Sequence, residues 1–193
     1  MGRAKGPTYV VPFRRRRMGR TRYKKRLALL RSNKPRLVIR KKNREIIVQV
    51  VDFGYDGDRV ILTVNGKSIS KLFGWPSRRN TPTAYLIGLY SAKLARQKGI
   101  TEVVPDIGLH SPTKKGIVFV VMKGAIDGGL SMKMNMEVSP DRINGKHIAE
   151  YAKALKNKNP EEYRKRFSSY LSENIDPEQI PELFEKTVKK IKG

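Results

Sequence analysis

Residues 36–64 contain three short apolar segments rich in Val and Ile and separated by turn residues, a pattern that is typical of strands. The pattern predicts strands at Arg36–Arg40, Glu45–Phe53 and Arg59–Val64, separated by turns at Lys41-Lys42-Asn43 and Asp56-Gly57-Asp58. Short turns between successive strands indicate an antiparallel meander. Both alternating faces of the second strand are largely apolar, so we expect helices to cover both faces of the sheet.

Beyond residue 80 the apolar spacing changes to that of a helix. Thr81-Pro82 is typical of a helix start that is capped by a hydroxyl, and Gly99 of a helix end. The residues expected to be buried between them are Tyr85, Leu86, Leu89, Tyr90 and Leu94. Ile100–Ile107 predicts a fourth strand. Because a crossover through a helix is right-handed in nearly all proteins, this strand is expected to return to the same sheet, parallel to one of the first three.

Ser111-Pro112 indicates a second capped helix start, but the next apolar segment has two interpretations. The β-branched residues of Ile117–Met122 favour a strand. A helix that ends at Gly128-Gly129 is favoured by residues at helical spacing, namely Val118, Val121, Met122 and Ala125. We predict the helix.

The chain after Ser131 has two patterns. Met132, Met134 and Met136 alternate with polar residues, which is typical of an edge strand or an extended segment. Three helices are then predicted, at Lys146–Leu155, Pro160–Leu171 and Pro177–Ile191. The last two begin with an Asn or Asp cap followed by acidic residues.

These elements predict an α/β fold. A mixed sheet, formed by a three-strand antiparallel meander and one parallel strand, is expected to carry helices on both faces. We divide the chain into a basic extended arm at 1–20, an α/β body at 21–130 and a mostly helical C-terminal extension at 131–193.

Charge points to the partner. The chain holds 42 Lys and Arg against 17 Asp and Glu, a net charge of +25. Residues 1–45 hold 18 of these bases and only one acid, Glu45. Such a surplus requires an anionic partner. The arm has no regular periodicity, so we expect it to order on that partner, although a disordered tail or a localisation signal is the simpler alternative.

The arm combines charge with aromatic rings. The run Arg14–Arg17 lies between Phe13 and Tyr23, which suits the pairing of guanidinium groups with phosphates and the stacking of rings on unpaired bases. Residues 20–32 predict a short basic helix with an apolar seam formed by Tyr23, Leu27 and Leu30. Tyr23 therefore has two equal interpretations, as a stacking residue or as part of the seam.

The candidate RNA-binding residues extend from the arm into the first turn and one later loop. They are Arg3, Lys5, Tyr9, Phe13, Arg14, Arg15, Arg16, Arg17, Arg20, Arg22, Tyr23, Lys24, Lys25, Arg26, Arg40, Lys41, Lys42, Arg44, Arg78 and Arg79. For the loop at 78–79 a solvated surface is nearly as good an interpretation.

Enzyme motifs fail on this sequence, and we expect no catalytic residue, metal ion, cofactor or small-molecule substrate. Asn65-Gly66-Lys67-Ser68 resembles the end of a phosphate-binding loop, but the spacing needs glycine where Ile61 stands. The order of elements also occurs in ribonuclease-H-like enzymes, in which Asp106, with Asp52 or Asp127, would bind metal ions. The first strand lacks the carboxylate that such chemistry requires.

The competing class is a peripheral membrane protein or a general polyanion binder. No stretch reaches the roughly 18 apolar residues of a membrane helix. Lipid surfaces favour a broad apolar helix face bordered by aromatic residues, whereas the only tryptophan, Trp75, lies outside the basic segment. RNA binding is therefore the favoured interpretation, without a membrane partner.

Long stretches of the chain resemble the 5S-rRNA-binding family of large-subunit ribosomal protein eighteen, in its archaeal and eukaryotic branch. The stretches are PTYVVPFRRRRMGRTRYKKRLALL at 7–30, KPRLVIRKKNREIIVQVVDFG at 34–54, GW at 74–75, NTPTAYLIGLYSAKLA at 80–95, DIGLHSPTKKGIVFVVMKGAIDGGL at 106–130 and RINGKHIAEYA at 142–152.

This resemblance implies a non-catalytic protein of the cytoplasmic ribosome. It implies attachment of 5S rRNA to the large-subunit rRNA in the central protuberance, with ribosomal protein five as a neighbour that shares the 5S rRNA. The long arm and the C-terminal helices resemble those of archaeal members.

Overall fold

A single mixed sheet organises the protein, for which the computed structural model describes residues 6–134 and 137–193. The strand order is β3-β2-β1-β4; the first three strands pair antiparallel, and β4 pairs parallel to β1. The predicted mixed sheet is therefore confirmed. The strands are β1 Arg36–Lys41, β2 Ile46–Gly54, β3 Gly57–Asn65 and β4 Val104–Asp106.

Helices surround this sheet. They are α1 Arg14–Arg17, α2 Tyr23–Leu30, α3 Gly66–Phe73, α4 Thr81–Gln97, α5 Ile117–Asp127, α6 Pro140–Ile143, α7 Lys146–Lys158, α8 Pro160–Arg166, α9 Ser168–Leu171 and α10 Ile180–Lys192, with a 3₁₀ turn at Pro177–Gln179 before the last. None of the helices in the described ranges is long and apolar enough to cross a membrane.

The main core lies on one face of the sheet, which we call the inner face. Apolar side chains of β1, β2 and β3 are buried there with those of α4 and α5. Helix α10 joins the same core, because Phe184 packs edge-on against Trp75 and lies 5.6 Å from Tyr85, between ring centroids. Helix α2 lies over the opposite, outer face, so helices cover both faces as predicted.

Two strand boundaries differ from the prediction. Strand β4 is shorter than Ile100–Ile107 because the chain before it bonds elsewhere: Val103 donates its N–H to Ser131, and Ser131 donates to Thr101. In the second hairpin the turn is Tyr55-Asp56, and Gly57 pairs with Gly54. The ladder thus continues through Gly57 and Asp58, which were expected in the turn.

The sequence pattern misplaced two helix starts and placed two caps correctly. Asn80, rather than Thr81, caps α4 by accepting the N–H of Thr83 at 2.8 Å. The helix predicted over Ile117–Met122 is confirmed, but it begins at Ile117 behind Gly116 and not at Ser111. The caps at Asn159 and Asp176 are confirmed, since their side chains accept backbone N–H groups of Glu162 and Glu178.

The sequence did not predict several short helices, and it predicted two other helices longer than the structure shows them. Helix α3 follows β3 without a linker and is capped by Asn65, which accepts the N–H of Ser68 at 2.8 Å. Helix α6 and the single turn α1 were missed, and the helix predicted at 20–32 is only Tyr23–Leu30. The segment predicted as Pro160–Leu171 is interrupted at Phe167, whose ring is buried beside Tyr163.

The methionine segment contributes no regular strand among its described residues. Only Ser131 forms a bridge, parallel to Glu102, and residues 132–134 follow without strand pairing. Met136, the last of the alternating methionines, lies outside the described residues. One bridge is too little to show an edge strand.

Helices α4 and α5 approach so closely that glycine is required at their crossing. A Cβ on Gly88 would lie 2.1 Å from the carbonyl oxygen of Val121, and one on Gly124 would lie 2.2 Å from that of Tyr85. Backbone atoms cannot move aside as a flexible side chain can, so each added methyl group would force the helices apart.

Gly124→Ala should therefore lower the free energy of unfolding by about 1 to 3 kcal/mol, the usual cost of overpacking. Helix propensity alone predicts the opposite sign, a gain of about 1 kcal/mol. Urea denaturation followed by circular dichroism measures the difference. Ala154→Gly on the exposed side of α7 is the matched control and should cost about 1 kcal/mol through propensity only. A more stable Gly124→Ala protein would contradict the close approach.

Candidate nucleic-acid interface

The arm presents its arginines on a single helical turn. Arg16 and Arg17 donate their N–H groups to the carbonyl of Phe13 at 2.9 and 3.0 Å, which forms α1. Because one turn takes 3.6 residues, four successive side chains point in four directions. All four are exposed, and none of them forms an ion pair with another described residue. The turn therefore offers four guanidinium groups to an outside anion.

Aromatic rings join the arm to helix α2. The rings of Phe13 and Tyr23 lie 5.0 Å apart and are tilted by 46°. Tyr23 is half-buried, whereas Phe13 is 71% exposed and Tyr9 is 42% exposed. Tyr23 thus packs between the arm and the body, while Phe13 and Tyr9 keep surface on which a base can stack.

Helix α2 is held to the sheet by an ion pair. Arg26 donates two hydrogen bonds to the carboxylate of Asp58 on β3, at 2.7 and 2.8 Å. The same carboxylate lies 2.7 Å from the guanidinium of Arg36 on β1. The hydrogen bonds from Arg26 are the main reason that the pKa of Asp58 falls to about 2, and Asp58 in turn raises the pKa of Arg26.

The pairing continues across the sheet to β4. Arg36, whose side chain is only 3% exposed, also donates to Asp106 at 3.0 Å. Asp106 accepts the N–H of Gly108 at 2.8 Å, and Arg40 donates to the backbone carbonyl of Asp106 at 2.9 Å. Positive and negative groups therefore alternate in what we call the ion ladder: Arg26, Asp58, Arg36, Asp106 and Arg40.

Two predicted RNA-binding residues of the ion ladder, Arg26 and Arg40, form contacts within the protein. Arg26 and Arg40 are turned toward carboxylate or carbonyl oxygens of the protein, although their side chains remain 30% and 39% exposed. Phosphate contacts by these two residues remain a prediction. Arg36 and Asp58 were not among the candidates. An arginine at the start of the apolar run Leu37–Ile39 was the available signal, because a charge beside a buried strand needs a partner.

A groove of about 920 Å³ lies between α2, the end of the arm and the outer face of the sheet. Its floor includes Val38, Val51 and the ion ladder. Basic residues that line it are Arg15, Arg20, Arg22, Lys25, Arg26, Arg36 and Arg40. The sequence predicted most of these bases but not that they enclose a groove.

The first turn and the later basic loop meet at the same edge. Arg79 donates to the carbonyl of Asn43 at 2.7 Å, and the carbonyl of Arg78 accepts the N–H of Ile46 at 3.3 Å. This contact brings Arg78 and Arg79 beside Lys41, Lys42 and Arg44. Lys24 is exposed on α2, and Arg22 is exposed just before the helix begins. Arg3 and Lys5 lie outside the described residues.

The three carboxylates considered for metal binding do not come together. Asp106 belongs to the ion ladder, and Asp127 accepts hydrogen bonds from Tyr85 and Lys123. Asp52 is exposed and accepts the N–H of Phe53. Within residues 6–134 and 137–193, no group of three His, Asp or Glu residues is arranged to hold a metal ion.

The α/β body carries a cationic arm beside a basic groove, an arrangement suited to a polyanionic partner. A sequence model of the family described as "Ribosomal large subunit proteins 60S L5, and 50S L18" matches residues 7–102. The large ribosomal subunit protein uL18 of Ignicoccus hospitalis is 47% identical over 191 residues, which cover 97% of this chain and 93% of that protein.

A second relative gives the same result. The large ribosomal subunit protein uL18 of Thermofilum pendens is 48% identical over 191 residues, 97% of each chain. The chain belongs to the uL18 family of large ribosomal subunit proteins, in its archaeal branch. It is a structural constituent of the cytoplasmic ribosome and not an enzyme.

The ion ladder makes the free energy of unfolding depend on pH. The pKa of Asp58 is about 2 in the folded protein and about 3.9 in an unfolded chain. Its ion pairs therefore stabilise the fold fully above pH 4, and this contribution is lost as the pH falls toward 2. Asp58→Asn should be less stable than the parent above pH 4, and the difference should shrink between pH 4 and pH 2. Denaturant titrations across that range measure it.

Asp56→Asn, an exposed acid in the adjacent turn, is the control and should leave the free energy of unfolding nearly unchanged. A difference between Asp58→Asn and the parent that stays constant from pH 7 to pH 2 would show that Asp58 does not stabilise through its charge.

Proposed function

We propose that this protein binds 5S rRNA and attaches it to the large-subunit rRNA in the central protuberance, next to ribosomal protein five. Membership of the family supports this role, and one observation carries it: four exposed arginines, none of which forms an ion pair with another described residue, stand on one turn of the arm next to exposed aromatic rings. Like charges at such spacing repel one another, so this arrangement is suited to a polyanion that neutralises them.

The chemistry favours RNA shape over duplex sequence. An A-form helix hides its base edges in a deep major groove, so side chains reach phosphates, 2′-hydroxyl groups and unpaired bases. Arginine forks pair with phosphate oxygens through two hydrogen bonds. In this proposal Arg14–Arg17 and the basic side chains of α2 bind the RNA backbone, while Phe13 and Tyr9 stack on unpaired nucleobases.

The basic edge formed by the first turn and the loop at 78–79 gives a second point of attachment. This edge, the groove and the arm are continuous along one side of the body, because the groove reaches from Arg15 to Arg40, next to Lys41. A protein that joins two RNA molecules needs more than one basic surface. We assign the arm and α2 to 5S rRNA and leave the basic edge available to the large-subunit rRNA.

Replacing Arg14–Arg17 together by glutamine should weaken binding of 5S rRNA at least tenfold at 150 mM salt. For about six to ten neutralised phosphates, the logarithm of affinity falls with the logarithm of salt at a slope of roughly −5 to −9. Loss of four contacts should make this slope about 3 shallower. Gel shift assays at several salt concentrations measure both quantities.

The matched control removes the same charge from α10, where Lys186, Lys189, Lys190 and Lys192 are exposed. Their replacement by glutamine should change the affinity less than threefold. Equal losses in both variants would mean that net charge, and not the arm, governs binding. Transfer RNA and anionic vesicles serve as competitors, and a preference for either over 5S rRNA would refute the proposal.

Removing residues 1–20 should weaken 5S rRNA binding and leave the thermal stability of the body nearly unchanged. In the described part of the arm every side chain is exposed except Pro12, which is half-buried, so the arm contributes little burial to the body. The midpoint of thermal unfolding should shift by less than about 4 °C, which corresponds to roughly 1 kcal/mol in a domain of this size. Calorimetry should at the same time show greatly weakened 5S rRNA binding. Unchanged affinity in the shortened chain would exclude the arm as the main contact.

A further inference from the structure

The tip of the second hairpin, residues 52–58, differs from the rest of the surface. It holds no Lys or Arg, and it holds Asp52 and Asp56 besides Asp58, whose charge is compensated by Arg26 and Arg36, in a chain with a net charge of +25. Tyr55 is fully exposed, Phe53 is 50% exposed, and their rings meet edge-on with centroids 6.0 Å apart. The hairpin tip thus combines an exposed aromatic pair with local negative charge.

The backbone does not require these aromatic residues. Two-residue hairpin turns favour asparagine, aspartate and glycine, which adopt the turn conformation easily. Tyr55 occupies the first turn position, where its ring gains no burial in the protein. Tyrosine and phenylalanine exposed beside one another are instead typical of the centre of a protein–protein contact.

The hairpin tip lies at the opposite end of the sheet from the basic edge. Ile46 pairs with Lys41 beside the first turn, and β2 then runs to Gly54 at the tip. Eight residue steps along a strand span about 26 Å. Of the two acids outside the ion ladder, Asp52 lies opposite Arg59 in the strand register, and Asp56 has no ion-pair partner among the described residues.

We propose that the hairpin tip docks an arginine- or lysine-rich segment of a neighbouring protein. Such a segment would place cationic groups over the faces of Tyr55 and Phe53, as in cation–π pairs, and would form ion pairs with Asp52 and Asp56. The acids disfavour RNA phosphates at the same place. This inference rests on membership of the ribosomal family, and it does not depend on which RNA the arm binds.

The test uses the full-length chain carrying Tyr55→p-benzoyl-phenylalanine, incorporated into large ribosomal subunits, which are purified and irradiated. The expected adduct resists ribonuclease, is degraded by protease and contains a Lys- or Arg-rich peptide of one neighbouring protein. An adduct that ribonuclease removes, an adduct to a neutral or acidic segment, or no adduct in subunits that contain the chain would overturn the inference.

The same photoreactive residue in place of Tyr9, on the arm, separates this inference from the proposed function. It should form an adduct to 5S rRNA. Failure at Tyr9 with success at Tyr55 would count against the proposed function alone, and the reverse result would count against the hairpin tip alone.

A charge reversal gives opposite results for the two kinds of partner. Asp56→Lys, added to the Tyr55 photoreactive chain, should lower the adduct yield at least fivefold if a cationic segment binds there. If RNA binds there, the yield should rise. Glu185→Lys on the exposed side of α10 adds the same charge elsewhere and should change the yield less than twofold. Yields are compared per chain that co-sediments with the subunit.

Discussion

The guanidinium of Arg36 is buried between two carboxylates, and much of the architecture depends on that burial. Taking a charge out of water costs several kcal/mol unless opposite charges accompany it. Asp58 and Asp106 supply these charges from two other strands, and Arg26 and Arg40 then compensate the carboxylates. The same chain of ion pairs links β4 to β1, which also pair through their backbones, and links α2 to the outer face of the sheet.

The two faces of the sheet therefore do different work. The inner face is apolar and packs against α4 and α5, whose backbones meet at two glycines, so that it supplies most of the buried surface. The outer face uses charged residues to hold one short basic helix above a groove. No residue of α2 is fully buried, and the helix is joined to the body by the Arg26–Asp58 ion pair and by a hydrogen bond from Lys25 to the carbonyl of Gly108. The helix is therefore already oriented when an anionic ligand binds.

Local patterns predicted most of the regular elements. The apolar segments of β1, β2 and β3 and the helical spacing in α4 reflect which residues are buried, and the chain carries that information in its order of residues. Boundaries were less predictable where a long-range contact decides them. Strand β4 is short because residues 101 and 103 bond to Ser131, and α3 begins at Gly66 because Asn65 caps a helix with no linker before it. Neither contact follows from periodicity.

The candidate interface divides in the same way. The charge surplus, the arginine run, its aromatic neighbours and the family resemblance are properties of composition and order, so the sequence alone predicted an RNA-binding protein and named most of the basic residues that line the groove. Only folding decided which of those cationic side chains are paired with the protein, because Arg26 and Arg40 contact carboxylates or carbonyls from distant strands, whereas Arg14–Arg17 form no ion pair among the described residues and the side chain of Arg15 bonds only to the hydroxyl of Thr21. A charge becomes a binding group or a structural one according to what lies within about 3 Å, and that distance is set in three dimensions.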